Sequence, residues 1–217
     1  MKTVKILWMV IALISCSTDD SQDRSTGDSV GAGTGNSSQV YDYSVLFIGN
    51  SLTYSNSLPS LVADEARNRG VNIQTRSVAL PNYALIDHWN DGTIQSLIGT
   101  GQYDFVVIQQ GPSSQPYGRS VLIEYGTRIK NLCEAQGAQL AFFMVWPSLS
   151  YYESFPGVIQ NYTDAAIQTG SLLCPVGRDW KSYQDNTGDY SYYGPDGFHP
   201  SVTGSRFAAS VIASTLF

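Results

Sequence analysis

Residues 45–53 read VLFIGNSLT, a short apolar run that ends in glycine and is followed by Asn50 and Ser51. A run with bulky apolar side chains at every position is typical of a strand buried on both faces of a parallel sheet. In open parallel sheets, ligands bind beyond the carboxyl ends of the strands. Because Ser51 follows the predicted strand by two residues, the sequence places a hydroxyl group where such folds carry function.

Four further segments read as strands, and stretches with helical patterning separate them. Besides residues 45–49, the predicted strands are residues 72–78, 105–109, 140–146 and 172–176. The predicted helices are residues 58–69, 85–98, 121–136, 158–169 and 202–216. Alternation of strands and helices favours a parallel sheet that is covered on both faces. We therefore expect an α/β fold, a three-layer α/β/α sandwich with about five strands.

A second polar motif, DGFHP, occupies residues 196–200 near the C-terminus. The chain has only two histidines, His88 and His199, and only His199 has an aspartate three residues before it. A catalytic serine needs an imidazole to accept its proton and a carboxylate to hold the imidazole. The pattern therefore indicates Ser51 as nucleophile, His199 as general base and Asp196 as the orienting acid.

These two motifs, GNSL and DGFH, resemble the first and last sequence blocks of the SGNH, or GDSL-type, hydrolases. The resemblance covers roughly residues 43–217. It implies a flavodoxin-like strand order and ester hydrolysis through Ser51, Asp196 and His199. It also implies that no metal or organic cofactor is needed, and that backbone N–H groups help to stabilise the oxyanion.

The two middle blocks depart from the family pattern. Asn82 stands where the family places a glycine whose N–H enters the oxyanion hole, although asparagine tolerates left-handed backbone better than most residues. After the third predicted strand, Ser113 stands where the family has asparagine, and the amide of Gln110 is another possible donor. We expect Asn82, Gln110, Gly111 and Ser113 to form the oxyanion hole or to contact the substrate. The simpler alternatives are a plain loop at Asn82 and a structural hydrogen bond for the glutamine.

The N-terminus has the pattern of an export signal: two lysines, an apolar stretch too short to span a membrane, and then Leu-Ile-Ser-Cys. That ending resembles the lipobox of bacterial lipoproteins, in which Cys16 becomes the lipidated first residue. An ordinary cleaved signal with an incidental cysteine is the alternative. We expect a signal peptide at residues 1–15, a flexible tether at 16–40 and a catalytic domain at 41–217. The predicted product is an exported, membrane-anchored lipoprotein of the periplasm or the cell surface.

Charge and the remaining titratable residues limit the possible partners. The net formal charge is −6, without any basic run, which argues against nucleic acid as a partner. We expect membrane contact through the lipid anchor only.

His88 with two nearby aspartates could indicate a metal site, but a solvated helix face is the simpler interpretation. Cys133 and Cys174 could form a disulfide in an exported domain or remain as buried thiols.

Aromatic residues crowd residues 146–152 and 180–193, which both read as loops. Tyrosine and tryptophan combine an apolar face with a polar edge, so these rings could stack on sugars or could simply cover the edge of the domain. With the two motifs, this composition predicts a serine esterase that removes small acyl groups, in particular acetyl, from an acylated glycan or another small ester. The alternatives are a lipid ester or thioester hydrolase with the same three residues, and a non-catalytic glycan-binding lipoprotein.

Overall fold

Strand β1, Tyr43–Gly49, lies inside a five-stranded parallel sheet in the computed structural model, which describes residues 40–217. The side chains of Val45, Leu46, Phe47 and Ile48 are fully buried, as expected for a strand covered on both faces. The other strands are β2 (Ile73–Ala79), β3 (Phe105–Ile108), β4 (Gln139–Phe143) and β5 (Leu172–Cys174). Their order across the sheet is β2-β1-β3-β4-β5, and every pairing is parallel.

Eight α-helices lie among the described residues. They are α1 (Ser51–Tyr54), α2 (Leu58–Asn68), α3 (Leu85–Asp91), α4 (Thr93–Ile98), α5 (Pro116–Ala135), α6 (Phe155–Thr169), α7 (Val176–Thr187) and α8 (Val202–Leu216). Two 3-10 segments, Ser55–Ser57 and Leu149–Ser154, precede α2 and α6. Helices α2, α5 and α6 carry proline in their first turn, where the missing N–H costs no hydrogen bond.

The strand order explains why helices cover both faces of the sheet. The chain moves outward from β1 to β2 through α2, and then returns past β1 to β3, β4 and β5 through α3, α4, α5 and α6. Since parallel crossovers are right-handed, opposite directions of travel put α2 on one face and α3 to α6 on the other. Helix α8 packs on α2, and α5 packs on both α3 and α6. The core therefore forms two layers, one on each side of the sheet.

This architecture confirms the predicted α/β sandwich with a flavodoxin-like five-stranded sheet. Two helix predictions and one loop prediction were wrong in detail. The helix predicted at residues 85–98 is two helices, because Gly92 adopts a left-handed φ of 83° between α3 and α4. Helix α5 begins at Pro116 and not at residue 121, and α7 occupies a segment that was read as part of an aromatic loop.

The predicted signal peptide, Cys16 and the tether lie outside the described residues, apart from the exposed Val40. Within residues 40–217, no helix is both long enough and apolar enough to cross a membrane.

Candidate active site

Ser51 lies at the carboxyl end of β1, as the first residue of helix α1. The sequence suggested that the next helix begins near Leu58, but the chain becomes helical at Ser51 because Asn50 acts as an N-cap. The Asn50 side-chain oxygen accepts a hydrogen bond from the Leu52 backbone N–H at 3.2 Å. The Asn50 side-chain nitrogen donates to the Tyr83 carbonyl at 3.1 Å. The residue before the serine thus fixes both the local turn and the neighbouring loop.

A buried glutamine holds the same turn from the adjacent strand. Gln109 directly follows β3 and is only 1% exposed. Its Oε1 accepts hydrogen bonds from the Asn50 backbone N–H at 2.9 Å and from the Thr53 hydroxyl at 2.8 Å. Gly49 must be a glycine here, since a Cβ would lie 2.3 Å from Thr53 Oγ1 and 2.5 Å from Gln109 Oε1. This polar residue at the end of a buried strand therefore makes structural hydrogen bonds.

His199 connects Ser51 to Asp196 through two hydrogen bonds. Its Nδ1 lies 2.6 Å from Asp196 Oδ2, and its Nε2 lies 2.9 Å from Ser51 Oγ. An ionised carboxylate can only accept, so Nδ1 carries the proton and donates to Asp196. Nε2 is then left to accept from the Ser51 hydroxyl, which is the arrangement that a histidine base toward a serine requires.

The surroundings of Asp196 stabilise the ionised form of its carboxylate. The hydrogen bond from His199 lowers the pKa of Asp196, and backbone N–H bonds add to this effect. Its Oδ1 accepts from the backbone N–H groups of Phe198 and His199, both at 3.0 Å. Both side chains remain open to solvent, with 51% of Asp196 and 42% of His199 exposed. The pair therefore sits at the rim of the site, where water and substrate can reach it.

Contacts on several sides hold the turn that carries His199. The backbone of Gly194 donates to the His199 carbonyl at 2.7 Å, and Gly197 takes a left-handed φ of 67°. Trp146 Nε1 donates to the Phe198 carbonyl at 3.0 Å. On the other side, the Asn56 side chain donates to the Pro200 carbonyl at 3.0 Å. Two separate segments therefore set the position of the imidazole.

The four residues expected at the oxyanion hole or the substrate all line one cavity with Ser51, of about 600 Å³. Asn82 has a left-handed φ of 61°, the backbone conformation expected of a residue in a glycine position. The Gln110 amide is held in place, since its Oε1 accepts from the Leu85 N–H at 3.4 Å and its Nε2 donates to the Gly118 carbonyl at 3.3 Å. Gly111 forms part of the same wall.

Ser113 packs tightly against helix α5. Its Oγ accepts from the Gln115 backbone N–H at 3.2 Å, and a Cβ on Gly118 would lie 2.2 Å from that oxygen. We call the space lined by Ser51, Asn82, Gln110, Gly111 and Ser113 the first cavity; its apolar walls include Ile86, Tyr117, Val121 and Phe198.

His88 does not belong to the hydrogen-bonded chain at Ser51. It is only 1% exposed, and its Nε2 donates to the Gly49 carbonyl at 2.8 Å. Burial lowers the pKa of His88, and the nearby Asp87 and Asp91 only partly oppose this effect. The expectation of a solvated helix face was therefore wrong for the histidine, which is a neutral, buried hydrogen-bond donor.

The two cysteines and most of the crowded aromatic rings pack in the interior. Cys133 and Cys174 are free and buried, and burial raises the pKa of each thiol to about 12. Most rings of the aromatic segments face the interior. Trp146 and Trp180 have no exposed surface and stack on each other with 3.8 Å between ring centroids.

Sequence reasoning missed several residues that shape the site. An N-cap within GNSL is one interpretation of that motif, since asparagine is preferred there, but the hydrogen bond from Asn50 to the Tyr83 carbonyl has no signal in the sequence. Tyr162 had no signal either. Its hydroxyl accepts from the Gln110 N–H at 3.1 Å and donates to the Gln110 carbonyl at 2.5 Å, across 52 residues of sequence.

Comparisons with known proteins agree with this architecture. A proposed SGNH hydrolase from Slackia heliotrinireducens superposes with a TM-score of 0.69 at 24% identity, over 81% of this chain and 99% of that one. A lipase/acylhydrolase from Enterococcus faecalis has a TM-score of 0.63 at 15% identity, over 79% and 94% of the two chains. A catalytic mutant of an acetylxylan esterase from Geobacillus stearothermophilus has a TM-score of 0.61 at 15% identity, over 81% and 94%.

No protein-family model matches the chain, and no curated protein matches it either. The near-complete coverage of these solved structures nevertheless agrees with what the GNSL and DGFH motifs suggest. The chain has the fold of the SGNH hydrolases.

Proposed function

We propose that this protein is a serine esterase. The observation that carries the proposal is the hydrogen-bonded chain from Ser51 Oγ through His199 to Asp196, at the mouth of a cavity that could hold an ester. All three groups have the hydrogen-bonding roles that acyl transfer needs. The similarity of the fold to SGNH hydrolases supports the same reaction class.

In the first half of the reaction, Ser51 Oγ attacks the carbonyl carbon of the ester and its proton passes to His199 Nε2. The negative charge of Asp196 stabilises the imidazolium that forms. The tetrahedral intermediate then collapses, the bond to the alcohol oxygen breaks, and His199 gives its proton to that oxygen. The products are a free alcohol and an acyl group on Ser51.

In the second half, a water molecule attacks the acyl group and gives a proton to His199. The second intermediate releases the carboxylic acid, and Ser51 recovers its proton. The negative oxygen of both intermediates needs hydrogen-bond donors. The Ser51 backbone N–H is the first of α1 and has no acceptor within the helix, so we assign it to this role together with Asn82 and the polar group of Gln110 or Ser113.

We further propose a small acyl ester on carbohydrate, with acetyl as the first candidate, as the substrate. One of the solved structures that share this fold is an acetylxylan esterase, which supports this choice. The predicted export signal and lipid anchor are consistent with a substrate outside the cytoplasm. We also propose that the mature protein is a lipoprotein anchored through Cys16, in the periplasm or at the cell surface.

The first cavity favours a second candidate, an ester with a longer acyl chain. Its volume of about 600 Å³ falls in the range of drug-sized ligand pockets, and Ile86, Val121 and Phe198 give it apolar walls. An acetyl group would occupy only a small part of this space. A lipid ester or thioester hydrolase with the same three residues would make use of the rest.

The test compares hydrolysis of p-nitrophenyl acetate, butyrate and octanoate by the wild-type protein and by Ser51→Ala. We expect the mutant to lose about 10⁴-fold or more in kcat on the preferred ester. Ser60→Ala is the matched control, because Ser60 is exposed on α2 away from the cavity, and it should keep full activity. Preference for acetate favours the first candidate and preference for octanoate the second.

Equal activity of the wild type and Ser51→Ala on every ester would overturn the esterase proposal. In that case, binding of an unmodified glycan without turnover would favour the non-catalytic alternative.

A further inference from the structure

A second cavity of about 600 Å³ lies beside the first. Pro112, Ser113, Gln115 and Phe198 line both cavities, so the two share a wall. The second cavity reaches Asp196 but does not include Ser51 among its lining residues. It therefore lies on the Asp196 side of the hydrogen-bonded chain, next to the reacting groups.

Hydroxyl groups are abundant in the wall of the second cavity, which includes the serines 113, 114, 148, 150 and 154. Ser154 donates to the Tyr151 carbonyl at 2.7 Å, and Ser113 accepts from the Gln115 N–H at 3.2 Å, so two of these groups already make hydrogen bonds within the protein. Among the hydrogen bonds within residues 40–217, none involves the side-chain hydroxyl of Ser148 or Ser150. A ligand that carries its own hydroxyl groups can replace the water that such groups would otherwise bind.

The charge of the wall restricts the ligand further. Among the described residues that line the second cavity, Asp196 is the only charged one, and its carboxylate already accepts from His199. An anionic ligand would meet no lysine or arginine there and would lie close to a carboxylate of the same sign. The second cavity therefore suits a neutral, hydroxyl-rich molecule.

Tyr151 supplies an aromatic surface at the same place. Its side chain lines the second cavity and is 69% exposed. The adjacent Tyr152, in contrast, packs on Phe155 and donates its hydroxyl to Asp185 at 2.7 Å. An exposed ring beside free hydroxyl groups matches a sugar, which has an apolar ring face and a polar edge.

The chemistry of the reaction decides which part of the ester lies in the second cavity. His199 must give its proton to the oxygen of the departing alcohol, so that alcohol lies on the His199 side of the carbonyl carbon. Asp196, from the same turn as His199, lines the second cavity and not the first, whereas Phe198 lines both. We propose that the second cavity is the subsite for the alcohol part of the substrate, a neutral glycosyl unit whose ring stacks on Tyr151. This inference rests on the proposed esterase function but does not depend on the length of the acyl chain.

The test is Tyr151→Ala in the full chain, measured on two acetate esters. On an acetylated xylo-oligosaccharide we expect kcat/KM to fall about tenfold, because the ring face is lost. On ethyl acetate, whose alcohol is too small to reach Tyr151, kcat/KM should stay within about twofold of wild type. Tyr151→Phe keeps the ring and should retain activity on both esters. Tyr190→Ala removes an exposed tyrosine that lines neither cavity and should change neither value.

Equal losses on both esters in Tyr151→Ala would overturn the subsite, because they would point to a general disturbance of the site. No loss on the oligosaccharide would overturn it as well. A Tyr151→Phe protein that behaves like Tyr151→Ala would show that stacking is not the interaction.

A binding measurement separates this inference from the proposed function. Calorimetry of Ser51→Ala with unesterified xylotetraose requires no chemistry, and we expect binding that weakens about tenfold when Tyr151→Ala is added. Tetragalacturonate, an anionic glycan, should bind more weakly than xylotetraose. Binding that is unaffected by Tyr151→Ala, or stronger for the anionic glycan, would overturn the subsite. If the wild type shows no Ser51-dependent hydrolysis but xylotetraose still binds through Tyr151, only the esterase proposal is overturned.

Discussion

The two histidines of this chain occupy regions that contrast sharply although both stand near aspartates. His199 is partly exposed in a turn after the last strand, with Asp196 at one nitrogen and Ser51 at the other. His88 is buried in helix α3, with the carbonyl of Gly49 at its Nε2. His88 is hydrogen-bonded to Gly49, the last residue of β1, and His199 to Ser51, two residues further along the chain.

The difference shows that the partner of an imidazole decides what it can do. A carbonyl oxygen only accepts, so His88 serves as a fixed donor that holds Gly49 in place. A hydroxyl can donate, and a carboxylate stabilises positive charge, so His199 can take up and release a proton. Burial lowers the pKa of His88 and outweighs the hydrogen bond to Gly49 and the nearby aspartates, which all raise it.

The contrast is tested most strongly by His199→Ala. We expect kcat on the preferred p-nitrophenyl ester to fall about 10⁴-fold or more, because the base is removed. The free energy of unfolding should change by less than about 0.5 kcal/mol, since the side chain is partly exposed. Steady-state kinetics and urea denaturation measure the two quantities. Retained activity would remove His199 from the proposed mechanism.

Asp196→Asn tests whether the carboxylate beside His199 is what allows this histidine, unlike His88, to act as a base. Asparagine can occupy the same space but lacks the charge that stabilises the imidazolium, so we expect kcat to fall about 10²- to 10³-fold. The loss should be smaller than for His199→Ala because solvent also reaches this exposed pair. The same kinetic assay applies, and an effect larger than that of His199→Ala would contradict this order.

His88→Phe examines the buried histidine. In the wild type, the ring centroids of His88 and Tyr83 lie 5.0 Å apart. Phenylalanine keeps a ring in this contact but removes the hydrogen-bond donor to the Gly49 carbonyl. The free energy of unfolding should fall by about 1 kcal/mol, since the Gly49 carbonyl still accepts from the Leu80 N–H at 3.1 Å. Activity should fall by less than about tenfold. A loss in kcat as large as that of His199→Ala would give His88 a role in the chemistry.

The pH dependence of stability gives the most specific effect, because it depends on the titration of one group. Because burial lowers the pKa of His88 in the folded state, the unfolded chain binds its proton first as the pH falls from 7 to 5. Stability therefore falls in this range, by at most about 1.4 kcal/mol per pH unit for one group. Asp196, whose pKa is lowered from that of an ordinary aspartate, loses its contribution only at more acidic pH.

Urea denaturation at several pH values, for wild type and His88→Phe, measures this slope. His199 is present in both proteins, so any difference between the slopes belongs to His88. Identical slopes would show that burial of the neutral imidazole does not affect stability.

The five strands could be predicted from the sequence pattern, and their order from the family resemblance. The sequence also singled out Ser51, Asp196 and His199, which the fold joins by hydrogen bonds. Buried parallel strands are continuous apolar runs, and a serine nucleophile has few possible partners in a chain with two histidines. Both signals are local, and the fold brings them together. The predicted roles of these residues await the kinetic tests.

Features that depend on contacts between distant segments could not be read from the sequence. Helix α7 is largely polar, and the burial of its Trp180 depends on Trp146 from the segment after β4. The role of Gln109 depends on how closely Gly49 approaches it. Similarly, the sequence does not show that Tyr151 is exposed while neighbouring rings are buried in the core, because this depends on the packing.

The stacked pair of Trp146 and Trp180 also makes the position of the His199 turn visible to spectroscopy. Trp146 is fully buried, and its indole N–H donates to the carbonyl of Phe198, the residue before His199. Any displacement of that turn alters the surroundings of an indole, whose emission wavelength responds to polarity and hydrogen bonding. The protein therefore carries an intrinsic fluorescent reporter that is hydrogen-bonded to the residue before its proposed base, and it needs no added label.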